Sequence, residues 1–381
     1  MEPNSFHMRK ILLFAGSFLL AAAGFCQNPI QYLFIGTNSD AKEGGIHIYR
    51  FNPNKGEATF ISKVETGYAT YMAVSQDKKY VYAVNELPGG NDGEVSAFAL
   101  DKTKGALSLI NKQTTGGPSP CYVSVDSTGK NVVVANYAGG NIVLYKTGQD
   151  GALQPVLQTL GHEGYGVNVT RQEMPHPHSV VFSPDQQFLF SADLGNDRVY
   201  KYKFNANDAA TPLTDGDPQY YTVEDGSGPR HIVFSPNRQF AYVINELSGK
   251  IIAYQYNNGQ LTEVQTIEAT KTGDKNDMGA ADIHITPDGK FLYASNRGKA
   301  NDIAIFKTSS DGKLLEVGHQ KVGEHPRNFM IDPTGRFLLV ANRDSNNIQI
   351  FVINRNYGLL EASGTTISVN KPMFLMMTPI K

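Results

Sequence analysis

One segment repeats along the length of this chain, and that repetition constrains the fold more than any other feature. An apolar strand, a polar turn, a second apolar strand closing on Asn or Asp, and a third strand ending in an aromatic recur in fixed order. The turns read SQDKKY, DSTGKN, SPDQQF, SPNRQF, TPDGKF and DPTGRF, and end on Tyr80, Asn131, Phe188, Phe240, Phe291 and Phe337. The strands that follow close on Asn85, Asn136, Asp193, Asn245, Asn296 and Asn342. These segments alternate with period two and are rich in β-branched and aromatic residues, as a part-buried pleated surface requires. A weaker fourth segment follows, such as LSLINKQTT or LTEVQTIEA. Four antiparallel strands per unit, with anchors 46 to 57 residues apart, is the pattern of a propeller blade.

The two ends supply the missing parts of one more unit. QYLFIGTNSD and GGIHIYRF read as second and third strands closing on Asn38, without a first strand; KPMFLMMTPI reads as a first strand with nothing after it. Joined, they predict an all-β, seven-bladed β-propeller of four-stranded antiparallel blades, its ring closed by a blade built from both chain ends. Closure leaves no free edge between blades.

The first 26 residues are of another kind. Arg9 and Lys10 precede the apolar run ILLFAGSFLLAAAGF, with small residues at Ala21, Ala22 and Ala23. That order is expected of a cleaved secretory signal peptide over 1–26, rather than of a membrane span, ahead of one domain over 27–381. The destination is periplasmic or secreted, with no membrane association after cleavage; a lipid anchor on Cys26 is disfavoured by the bulky Phe25 before it. Cys121 then has no disulfide partner and reads as a small buried apolar residue. With 34 basic and 36 acidic residues and no basic run, nucleic acid is not expected as a partner. A monomer is expected.

Aligned repeats act as an internal control: positions set by the fold look alike in every blade, and positions used for chemistry differ. A proline column (Pro120, Pro177, Pro229, Pro326, Pro372) fixes the approach of the first strand and is architectural. The next column reads Thr70, Cys121, His178, Arg230, Ala281, Arg327 and Met373. The column after the second-strand Asn or Asp reads Ser39, Glu86, Tyr137, Leu194, Glu246, Arg297 and Arg343. In an antiparallel hairpin the start of one strand lies beside the end of the other, so both columns open on one face around the central channel.

That face gathers a histidine, a carboxylate and several arginines, a set suited to an anionic substrate undergoing proton transfer. Arginines clamp carboxylate or phosphate in forked geometry, and a His/Glu pair can manage a proton near neutral pH. His178, Glu246, Arg230 and Arg327 are the candidate catalytic residues. The longest interval between anchors carries LGHEGYGVNVTRQEMPHPH, a loop expected to overhang the same face, either offering Arg171 and Gln172 to substrate or serving as a solvated connector, with His176 as loop support or a substrate contact. Arg297 and Arg343 are further candidates for substrate contact, or braces of the rim. Arg230 and Glu246 could instead form a purely structural ion pair. His176 and His178 are not expected to chelate a metal: Pro177 separates them, and no third ligand stands nearby in sequence. No metal or other cofactor is called for.

RQEMPHPHSVVFSPD, DLGNDRVYKY, GPRHIVFSPNRQFAYVINEL and HPRNFMIDPTGRFLLVANRDSNNIQIF resemble the seven-bladed propeller lactonase family, which includes propeller-type 6-phosphogluconolactonases and is similar to 3-carboxy-cis,cis-muconate lactonising enzymes. The resemblance runs over residues 30–381. It implies a metal-independent carboxylic-ester hydrolase acting on a sugar lactone or related anionic cyclic ester. Its histidine falls on His178, its arginines on Arg230 and Arg327, and its glutamate on Glu246. Hydrolysis of a sugar-phosphate lactone belongs in the cytosol, whereas this chain carries an export signal, so lactone chemistry is implied more strongly than that one substrate. The alternative is a non-catalytic periplasmic propeller binding a sugar acid, a peptide or a protein on the same face.

Overall fold

The alternating segments form twenty-eight strands, β1 to β28 in chain order, and no helix occurs among the described residues. The structure is a computed structural model that describes residues 1, 28–271 and 279–380. Apart from Met1, the expected signal segment, Cys26 included, lies outside the described residues.

Seven sheets each hold four antiparallel strands. Six are consecutive in sequence. The seventh runs β28-β1-β2-β3 and joins the chain ends, with β28 (Pro372–Pro379) paired to β1 (Gln31–Thr37) through Ile35↔Leu375 and Leu33↔Met377. The inner strands are β4 (Ala69–Val74), β8 (Pro120–Val125), β12 (Pro177–Phe182), β16 (Pro229–Phe234), β20 (Ala280–Ile285), β24 (Pro326–Ile331) and β28. Each contacts the next, and β28 contacts β4, so the ring is closed. The second strands end where the repeat predicts, from Asn85 to Asn342. The exception is the composite blade, where β1 ends at Thr37, which pairs with Pro372; Asn38 lies one residue beyond.

The core lies between blades, and the anchor aromatics show how it is built. The faces of Tyr32, Tyr80, Phe188, Phe240, Phe291 and Phe337 meet Gly105, Gly151, Gly259, Gly312, Gly358 and Gly56 in turns of neighbouring blades. A Cβ at any of these glycines would stand 2.2–2.5 Å from the ring, and all six take positive φ. Where the anchor is Asn131 instead, no ring requires that space, and its amide reaches Ala206 O at 3.5 Å. In four blades the second-strand Asn85, Asn136, Asp193 or Asn296 ties the blade to its incoming link. Asn136 Nδ2 donates to Thr115 O at 2.8 Å, and Asn296 Nδ2 donates to Ala269 O at 2.7 Å. The single Asp of the column, Asp193, accepts instead: its carboxylate takes the backbone N–H of His176 and Gly195 and faces the His162 ring.

One irregularity recurs in all seven blades and sets the site. Between the proline column and the rest of each inner strand the register slips by one residue, leaving a β-bulge. Pro120 pairs with Asn136 but Tyr122 with Ala135; Pro229 pairs with Asn245 but His231 with Ile244. The residues on the bulges are Thr70, Cys121, His178, Arg230, Ala281, Arg327 and Met373. A bulge leaves one residue out of the ladder and re-aims its side chain, so the specialised column is specialised in backbone geometry as well as in chemistry.

Closure by β28 is the contact on which this ring depends. Leu375 is buried against Leu33, Ile35 and Leu339. Leu375→Ala is expected to cost about 2–5 kcal/mol of stability, read by denaturant unfolding, whereas an equivalent change at exposed Leu315 should be nearly neutral.

Candidate active site

Two blades and one loop bring their charged groups to a single carboxylate. Glu246 follows the second strand of the fourth blade, β17 (Phe240–Asn245), and its backbone N–H donates to Gly228 O at 2.7 Å. Arg230, on the bulge of the same blade, donates Nε–H to Glu246 Oε2 at 2.9 Å. Arg297, from the next blade, reaches Oε2 at 2.8 Å. Arg171, from the long loop, donates Nη2–H to Oε1 at 2.6 Å and lies 3.4 Å from Tyr137 Oη. Both carboxylate oxygens are therefore held by guanidinium groups. Burial works against the charge of Glu246, but Arg297 and Arg230, then His178 and Arg171, outweigh it and hold its carboxyl well below the usual range.

His178 lies beside this cluster, 4% exposed. Its Nδ1 is 3.7 Å from Cys121 Sγ, and its ring packs edge-on against Tyr137 and His231 at 5.3 and 5.5 Å. Nε2 has no protein partner among the described residues. Burial, then Arg230 and His231, push the imidazole well below the ordinary histidine value, Glu246 opposing, so His178 is neutral at pH 7. Burial likewise pushes the Cys121 thiol up to about 12, which leaves it protonated and a poor nucleophile.

Arg327 stands apart from the other arginines. It is part-buried on its bulge and has neither an ion pair nor a hydrogen bond among the described residues. Its charge is nevertheless felt by His178, Arg230 and Arg297. With Arg171, Arg230 and Arg297 sharing the one carboxylate of Glu246, the cluster carries excess positive charge, and among the described residues Arg327 is its arginine without a carboxylate partner.

Four other candidates make contacts within the protein. Gln172 is fully buried and staples its own loop: Nε2 donates to Leu194 O at 2.9 Å, and Oε1 accepts Asn168 N–H at 3.1 Å. His176 is buried beneath Tyr137, stacked at 4.4 Å with Nδ1 2.9 Å from Tyr137 O, and supports that residue. Arg343 forks onto Asp344 at 2.6 and 3.0 Å and is a rim pair. Arg297 is tied to Glu246 and to Gly279 O. His162, in the same long loop, is buried on Asp193 and Tyr200, inside the blade.

A further layer was missed by the reading of the repeats. Immediately below the bulge column, one side chain per blade lines the channel: Tyr71, Tyr122, Ser179, His231, Asp282, Asn328 and Phe374. His231 Nδ1 lies 2.7 Å from Asp282 Oδ1, and its Nε2 lies 3.1 Å from Arg230 Nη1. Asp282 Oδ2 accepts from Asn328 Nδ2 at 2.5 Å and lies 2.9 Å from His284 Nε2. His284 is thus an Asp282 partner. The repeat comparison, moved one residue along, would have exposed His231, Asp282 and Asn328 as consecutive polar exceptions.

The family model described as lactonase, 7-bladed beta-propeller, matches residues 32–377. A 6-phosphogluconolactonase of Formosa agariphila is 40% identical over 351 residues, covering 91% of this chain and 99% of that protein. One of Bacillus subtilis is 33% identical, covering 89% and 96%. Among solved structures, a periplasmic gluconolactonase of Pseudomonas aeruginosa superposes with a TM-score of 0.87 at 32% identity, covering 92% of this chain and all of that one.

Removing Glu246 would leave three guanidiniums facing one another, those of Arg230 and Arg297 largely out of water. Glu246→Ala is expected to destabilise the fold by about 3–5 kcal/mol, measured by chemical denaturation. An unchanged midpoint would mean that the three arginine contacts contribute no net stability.

Proposed function

Because the chain belongs to the seven-bladed β-propeller lactonase family, we propose that it hydrolyses a sugar lactone or related cyclic ester bearing a negative group. The observation that carries this reading is the pairing of a neutral, buried His178 with Arg327, which has no carboxylate partner among the described residues, on the channel face. The relatives named 6-phosphogluconolactonase act on an anionic lactone, and the gluconolactonase neighbour supports lactone chemistry in the periplasm. A periplasmic site of action also agrees with the signal segment expected at residues 1–26.

The chemistry divides among few groups. His178 Nε2 takes a proton from water as the water oxygen bonds to the lactone carbonyl carbon. The carbonyl π-bond becomes an oxyanion, which a guanidinium edge stabilises. Its collapse breaks the ring C–O bond, and the imidazolium returns its proton to the departing ring oxygen. The product is a hydroxy acid, which ionises near neutral pH and releases one proton. Arg327 holds the negative substituent. Glu246, with both oxygens occupied by arginine and its carboxyl far below the working pH, acts as an anchor for Arg230, Arg297 and Arg171 and is a poor proton carrier. This narrows the expected His/Glu partnership to His178. The scheme requires no metal, and among the described residues no group of three or more His, Cys, Asp or Glu is arranged to hold one.

The test is proton release from a panel of aldonolactones by the purified protein. His178→Ala should lower kcat by about 10²–10⁴-fold, and Arg327→Ala should raise KM more for an anionic lactone than for a neutral one. Because the His178 value is depressed, activity should hold from neutral pH through the ordinary histidine range and fall only below it. Unchanged turnover in folded His178→Ala would refute the assignment. Ligand-induced thermal stabilisation without turnover in the wild type would favour a binding protein.

A further inference from the structure

The layer beneath the site contains a hydrogen-bonded chain that the proposed hydrolysis does not use, and it ends on Arg230. Consecutive residues of a strand normally point to opposite faces. The bulge at Arg230 relaxes that alternation, and Arg230 and His231 meet side by side, Nη1 to Nε2 at 3.1 Å. A guanidinium nitrogen can only donate, so His231 Nε2 must be the acceptor and Nδ1 must carry the proton. That proton points to Asp282 Oδ1 at 2.7 Å, and Asp282 is itself fixed by Asn328, by His284 and by its own neighbour's backbone, Ile283 N–H at 3.0 Å. Asn328 Oδ1 in turn accepts Leu375 N–H at 2.8 Å, from the strand that closes the ring.

Arg230 has five N–H donors. Nε serves Glu246, and Nη1 serves His231 and Ala281 O. The two protons of Nη2 have no acceptor among the described residues. A buried arginine with three donors committed to the protein has one orientation, and only its Nη2 edge remains to meet a substrate oxygen.

We propose that His231 and Asp282 are positioning residues that lock the Arg230 guanidinium so that Nη2 faces the lactone carbonyl as the oxyanion donor. This rests on the lactonase reading of the site above. In this arrangement Arg230 contributes mainly to the transition state, where negative charge develops on the carbonyl oxygen, and little to ground-state binding, which falls to Arg327. The full charge of Asp282 is also conveyed through a neutral imidazole to the back of Arg230, which balances part of the positive excess without placing a carboxylate beside the substrate. The surroundings keep His231 neutral: burial first, then Arg230, push it down to about 4, against the opposing pull of Asp282. The rings of Tyr71 and Tyr122 pack edge-on against His231 at 6.1 and 5.3 Å and close the channel beneath it.

Two replacements separate positioning from simple structural support. His231→Gln can keep an acceptor near the Nε2 position, facing Arg230; His231→Asn can keep a donor toward Asp282 but loses that acceptor. In the full-length protein, His231→Asn is expected to lower kcat about 100-fold with KM changed less than about threefold. His231→Gln should recover about tenfold of that loss at a similar melting temperature. Equal impairment of the two variants, or a rise in KM with kcat retained, would overturn the proposal. A second readout does not depend on turnover: ¹⁵N spectra of the histidine side chains of the wild type at pH 7 should show His231 as the Nδ1–H tautomer, and an Nε2–H tautomer or an imidazolium would overturn it. If the wild type hydrolyses no lactone, the lactonase reading fails, and the tautomer alone decides whether His231 and Asp282 hold Arg230.

Discussion

A single backbone slip at the start of every inner strand is the constraint on which the functional face depends. The proline column sets the direction of approach, and just beyond it, beside the end of the second strand, the register slips and a residue is forced out of the ladder. Seven bulges at one level of a closed ring give seven side chains aimed at one face, whatever their chemistry. Four of those positions hold Thr70, Cys121, Ala281 and Met373, which are small or apolar; His178, Arg230 and Arg327 occupy the others. The scaffold thus separates geometry, supplied identically by every blade, from reactivity, supplied by three.

Charge organises what the bulges present. Four guanidiniums converge with one fully engaged carboxylate, and Asp282 lies behind them through His231. Burying like charges costs heavily unless they are paired, and here three arginines share the cost through Glu246. The fourth, Arg327, is left to the substrate. The same field keeps His178 unprotonated at rest, at a cost in basicity. It also favours an anionic ligand and, through Nη2 of Arg230, an anionic transition state. Site acidity, substrate charge and catalytic polarity thus follow from one distribution of arginines.

The fold was legible almost completely because the repeats tested one another: six aligned turns and six strand-closing Asn or Asp residues placed their strands to the residue. The one slip, Asn38 for Thr37, fell in the composite blade, where no continuous repeat could calibrate the register. Of the site, His178, Arg230, Glu246, Arg297 and Arg171 were brought together as the two columns and the long loop implied. What sequence could not supply was the direction in which a loop side chain turns. Arg171 reaches Glu246 while the adjacent Gln172 turns inward to pin its own loop, and nothing in the dipeptide distinguishes them. His176 is diverted by Tyr137, a contact between blades. His231 and Asp282 lie in a column that also holds Tyr71, Tyr122 and Phe374, a composition that packing alone explains, and its polar members gain meaning only because the bulge places His231 beside Arg230.

The most direct measurement is a crystal structure of the protein with a phosphorylated aldonic acid, the hydrolysis product of the proposed substrate class. The account predicts the acid at the channel mouth above the ring, its phosphate on Arg327 and its carboxylate within hydrogen-bonding distance of Arg230 Nη2 and His178 Nε2. An acid bound elsewhere on the propeller, or one at the mouth whose carboxylate turns away from His178 and Arg230, would contradict it.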